Sequence, residues 1–128
     1  MANQVTNIGG VLSAVTTTFA YTDSTAVAIA TIPANSQIVD INIDVTTAFN
    51  AASTNTVTVG KTGSAAAFVA STSVGSAGRA SVATTGVYSA WANTGTSDLV
   101  ATITYSQTGT AATAGAARVT IVYKYADV

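Results

Sequence analysis

QIVDINIDVT, residues 37–46, alternates apolar and polar side chains from Val39 onward. Val39, Ile41, Ile43 and Val45 fall on one face of an extended chain; Asp40, Asn42 and Asp44 fall on the other. Successive side chains of a strand point to opposite sides, so the pattern is that of a strand with one face buried and one polar. DLVATITY (98–105) repeats it with Leu99, Ala101, Ile103 and Tyr105 on one face. ARVTIVYKY (117–125) does so again, setting Val119, Ile121, Tyr123 and Tyr125 against Arg118, Thr120 and Lys124.

Weaker strand signals occupy 13–22, 25–32, 55–60, 66–70 and 87–91. Between the strands lie clusters of Gly, Asn, Asp, Ser and Thr: TDS (22–24), PANS (33–36), NAASTN (50–55), KTGS (61–64), GSAGRAS (75–81), NTGTSD (93–98) and QTGTAATAGA (107–116). Alanine is frequent but interleaved with Thr, Val, Ser and Gly, so helix signals stay weak. About eight strands, punctuated near every tenth residue, predict an all-β, antiparallel β-sandwich or closed barrel. No βαβ alternation and no fixed repeat length appear, which disfavours parallel sheets, solenoids and propellers. Residues 11–128 read as a single domain. The opening MANQVTNIGG (1–10) reads as an extended N-terminal arm hinged at its paired glycines, and 75–85 as a long exposed loop.

Only 7% of the residues are charged, against about 25% in ordinary soluble domains. The bases are Lys61, Arg79, Arg118 and Lys124; the acids are Asp23, Asp40, Asp44, Asp98 and Asp127. Four scattered cations do not make the clustered phosphate-neutralising surface that nucleic acid requires. Mean hydropathy is +0.46, yet no apolar run approaches the roughly 20 residues of a spanning helix, so no membrane segment is expected. Little like-charge repulsion opposes association, which suits a chain held in a fixed assembly.

The chain has no His, Cys or Glu. That excludes a Ser–His–Asp triad, a thiol nucleophile and a Cys/His zinc site, and it removes any call for a cofactor. Asp40 and Asp44 share a strand face at roughly 13 Å, too far for the roughly 5–9.5 Å of a glycosidase carboxylate pair. Asp40, Asn42 and Asp44 imitate the start of a calcium loop, but Val45 and Ala51 stand where Gly and a bidentate Glu are needed. Gly60, Lys61 and Thr62 imitate the end of a phosphate-binding loop, but Asn55 replaces its first glycine and a strand, not a helix, adjoins it. No catalytic, metal or small-molecule site is expected. A hydrolase working through aspartates alone would need two of them converging in one pocket.

Aromatics are the remaining candidates. Phe19, Tyr21, Phe49, Tyr123 and Tyr125 are the expected packing or interface residues. Trp91, the one Trp, is expected in the core; exposed beside Tyr88 it would instead suit a sugar-binding surface.

The segment IPANSQIVDINIDVTTAFNAASTNTVTVGKTGSAAAFVA (32–70) resembles one found in small virion proteins of tailed bacteriophages. The likeness lies in a Pro-Ala turn leading into an alternating strand, a TTAFN corner, a short V-x-V-G strand and Phe68. It covers about a third of the chain. It implies a jelly-roll-like sandwich and a decoration (cement) protein on the outer surface of a phage head. The implied partners are further copies of the chain, as a trimer, and the major capsid protein. The alternative is a tail, fibre or baseplate module binding a host glycan through Tyr88 and Trp91.

Overall fold

The computed structural model describes residues 12–23, 25–80 and 94–125. The strands are β1 (Leu12–Ala20), β2 (Val27–Ile32), β3 (Ser36–Thr47), β4 (Thr54–Lys61), β5 (Ser64–Ser73), β6 (Gly78–Arg79), β7 (Leu99–Thr108) and β8 (Ala116–Tyr125). They form two four-stranded sheets, β1-β8-β3-β6 and β2-β7-β4-β5, and every pairing is antiparallel.

One rule generates this order. β4 pairs with β5, β3 with β6, β2 with β7 and β1 with β8. The chain is therefore one long ribbon, doubled at residues 62–63, where Gly63 supplies the positive φ of 85° that the turn needs. The ribbon wraps so that alternate pairs fall in opposite sheets, and β3–β8 and β4–β7 contacts complete each sheet. The result is a jelly-roll-like β-sandwich. No helix among the described residues is long and apolar enough to cross a membrane.

The core lies between the sheets. Ile41, Ile43 and Val45 of β3 meet Val119 and Ile121 of β8 and, from the other sheet, Val57, Val59, Ala101 and Ile103. Each large side chain so buried stabilises the fold by about 1.5–3 kcal/mol. The alternations read in 98–105 and 117–125 hold: Leu99, Ala101, Ile103 and Tyr105 are buried, as are Val119 and Ile121.

Val39 departs from expectation. It is exposed, and Ile38 takes the inward position. Ile38 faces Tyr123 and Asp40 faces Val122, so Val39 is the extra residue of a β-bulge. A bulge shifts the alternation by one residue, turning the chain's inward row from odd positions to Ile38 on its N-terminal side. The cluster 75–81 also differs: Gly78 and Arg79 pair with Val45 and Asp44 as β6. The strand signal at 87–91 and the arm at 1–10 lie outside the described residues.

Strand direction sorts the connections to two ends. At one end, 21–23, 25–26, 48–53, 74–77 and 109–115 come together. Asn50 ties 48–53 to 109–115: its Oδ1 accepts the Thr113 and Ala114 N–H groups and its Nδ2 donates to Thr113. At the other end Thr94 accepts from the Ser36 N–H and donates to the Pro33 carbonyl. Asp98 accepts the Ala34 N–H there. β1 begins and β8 finishes at this second end, since Leu12 faces Lys124.

Candidate assembly surfaces

The outer faces of the two sheets differ in charge. On the first, register sets Thr18, Arg118, Asp44 and Arg79 in one row across all four strands. An Arg118 guanidinium N–H donates to Asp44 Oδ2 at 2.7 Å within it. The next row is Thr16, Thr120 and Asn42, with a 2.9 Å hydrogen bond between the two threonine hydroxyls. Asp40 and Lys124 add to this face, so it holds most of the chain's few charges.

The second sheet presents hydroxyls and small side chains: Thr31 beside Val100, Thr58 beside Thr104, and Ser73, Thr56 and Ser106 in one row. Its strands contain one charged residue, Lys61, at the end of β4. A surface without charges avoids the large desolvation cost of burying ions, and depletion of charge marks the centre of a protein interface. The signal was in the sequence as TNTVTV and TITYS, whose alternate positions are Thr or Ser.

The aromatic candidates divide. Phe19 and Phe49 are buried in the chain's own core, with ring centroids 5.6 Å apart; Phe49 also packs on Tyr105 in a tilted pair at 4.7 Å. Their rings are taken up within the fold and present almost no surface to a neighbour. Tyr21 and Tyr123 are half-buried against that core and keep part of each ring at the surface. Tyr125 ends β8 opposite Ser36. Tyr88 and Trp91 lie outside the described residues.

Sequence reading missed Tyr105 as a polar anchor. Its hydroxyl donates to Asn55 Oδ1 at 2.7 Å, and the Asn55 carboxamide bonds Ala51 through both its ends. Burial raises the Tyr105 pKa above its ordinary 10.0.

The described aspartates are structural in their contacts. Asp23 Oδ2 accepts the Ala20 N–H, Asp98 holds Ala34, and Asp44 pairs with Arg118. Asp23 and Asp98 belong to opposite ends of the sandwich, while Asp40 and Asp44 lie on the outer face of β3. Among the described residues no group of three His, Cys, Asp or Glu side chains could hold a metal ion. An open cleft of about 390 Å³ is bordered by Thr18, Asp23, Thr46 and Arg118. It holds no paired carboxylates and no nucleophile with a base beside it. Gly60, Lys61 and Thr62 end β4 and enter its hairpin with β5.

Two solved structures share the fold. One is a chain of the cyanophage Pam1 capsid asymmetric unit, 20% identical with a TM-score of 0.71, covering 97% of this chain and 91% of that one. The other is a chain of the acidic stable capsid structure of Helicobacter pylori bacteriophage KHP30, 13% identical with a TM-score of 0.66, covering 94% and 92%. No protein-family model matches the chain, and no curated sequence does so. At these identities the likeness is one of architecture, and it spans nearly the whole of each chain.

Proposed function

We propose that this protein is a structural component of a bacteriophage virion, a decoration (cement) protein on the outer surface of the head. It would stabilise the shell by packing against further copies of itself, as a trimer, and against the major capsid protein. The observation that carries this reading is the end-to-end likeness to two chains from phage capsids. The chemistry agrees: the described side chains hold no catalytic constellation, and one sheet face is nearly free of charge. Apolar area buried on docking contributes about 25 cal/mol per Å² before the costs of association.

Mass spectrometry and labelled imaging of purified particles test the reading. The protein is expected on the head in stoichiometric amount, with particles lacking it losing heat resistance. Its absence from purified particles overturns the proposal; its presence on the tail favours the glycan-binding alternative. No observation among the described residues favours that alternative, because Tyr88 and Trp91 lie outside them.

A further inference from the structure

Among the described residues, β1 is an edge strand without the usual protection. Edges expose N–H and C=O groups that template pairing with another chain, so natural edges carry a charge, a proline, a bulge or very short length. Among the described residues the other three edges have such a device. β6 is two residues long, β2 is bulged between Ala28 and Ala30, and β5 is bulged twice against β4. β1 runs nine residues, LSAVTTTFA, with no charge, no proline and an unbroken register against β8. Its inner row is also left open near its start. Val15 is only half-buried and Ser13 is exposed, whereas Ile121 and Ile41, in the same row as Val15, are fully buried.

We propose that β1 pairs antiparallel with β1 of a second copy, about a two-fold axis at Thr16, joining two four-stranded sheets into one of eight strands. Symmetry supports the match. A two-fold between antiparallel strands must lie perpendicular to the sheet, and facing residues must point to the same side. The paired positions must therefore sum to an even number, and full overlap of 12–20 with itself meets that condition with Thr16 opposite Thr16. Leu12 then faces Ala20 of the second copy, Ser13 faces Phe19, Ala14 faces Thr18, and Val15 faces Thr17.

No like charges meet in this arrangement. Arg118 lies one strand in from the edge beside Thr18, and Lys124 beside Leu12. Across the axis these rows continue into Ala14 and Val122, and into Ala20 and Ala116, of the second copy. The Asn42–Thr120–Thr16 row extends through the axis as a continuous polar line, of the kind that favours cross-strand threonine pairs. Nine facing pairs supply about eight to ten main-chain hydrogen bonds. The contact is isologous, so one patch of surface serves both partners. It goes beyond the virion reading and does not rest on it.

The chain contains no cysteine, so a single introduced thiol reports one contact. Under mild oxidation of the purified full-length protein, Thr16→Cys is expected to give a covalent dimer, because Cβ atoms directly opposite lie about 4.5–5.5 Å apart. Ala14→Cys alone and Thr18→Cys alone are expected to stay monomeric on gels, while an equal mixture of the two cross-links. Ser71→Cys, exposed on β5, sets the rate of random collision. Thr16→Lys places two ammonium groups at the axis and is expected to weaken self-association at least tenfold by sedimentation. Cross-linking of Thr16→Cys no faster than Ser71→Cys overturns the proposal. So does a silent Ala14→Cys and Thr18→Cys mixture, or unchanged association of Thr16→Lys. Absence of the protein from phage particles would remove the virion reading and leave each of these outcomes unaffected.

Discussion

Replacing Gly115 by alanine tests the packing at the loop-stitched end of the sandwich. Gly115 has a φ of +151°, where an L side chain is strained. A Cβ added there would stand 2.5 Å from Cδ2 and 2.6 Å from Cγ of Phe49. The Phe49 ring is buried and packs against both Phe19 and Tyr105, so any move away from the added Cβ disturbs those contacts. Backbone strain of this kind costs about 1–3 kcal/mol. Overpacking a filled core adds about 1–3 kcal/mol more. The sum, about 2–6 kcal/mol, is a large part of the roughly 5–15 kcal/mol that holds a domain together. A domain of this size loses about 4 °C of Tm per kcal/mol, so a fall of roughly 10–20 °C is expected by circular dichroism. Gly63→Ala is the control: its φ is +85°, but no atom lies within 4 Å of the added Cβ. It bears the backbone cost alone. If Gly115→Ala proves no worse than Gly63→Ala, the ring contact is not what the geometry says.

Phe49→Ala is expected to cost about 3–5 kcal/mol in urea unfolding, since it empties the centre of the aromatic cluster. Arg118→Ala is expected to change stability by less than about 1 kcal/mol, because both partners of its ion pair with Asp44 are partly solvated, at 53% and 37% exposure. Tyr105 makes stability fall at alkaline pH. Its pKa is raised in the folded state, so above about pH 10 the unfolded chain releases a proton that the folded chain keeps. The tyrosine's contribution is full below pH 10 and is lost as pH rises toward the folded-state pKa. Tyr105→Phe is expected to lose about 0.5–1.5 kcal/mol at neutral pH and to show a shallower alkaline decline in denaturation midpoint than the parent.

The strands were legible wherever one face is buried and the other wet. β7 and β8 show this over their inward rows, and β3 shows it from Ile41 onward. What failed was non-local. The bulge at Val39 arises from the register of β3 against β8, and nothing within QIVDINIDVT distinguishes Ile38 from Val39 as the inward residue. β6 is two residues long and exists only because β3 offers it an edge, so no local alternation can announce it. The aromatics were legible as packing residues but not by location. A phenylalanine carries the same apolar area in a core as in an interface, and only the fold shows that Phe19 and Phe49 are spent inside. A candidate assembly surface leaves a weak trace because it consists of ordinary residues; on the second sheet that trace is missing charge.

The doubled ribbon also orders the events of folding. Lys61 faces Ser64 across a two-residue turn, whereas Leu12 faces Lys124 across almost the whole chain. Each doubling of the loop to be closed costs about 0.6 kcal/mol, so some five doublings separate tip from base, roughly 3 kcal/mol. The ribbon is therefore expected to zip from its hairpin outward, with β1 the last strand to seat and the first to peel away. Amide exchange in β1 should run ahead of that in β4 and β7 for this reason, and a neighbour laid along the edge of β1 would slow it, latching the free end of the zipper.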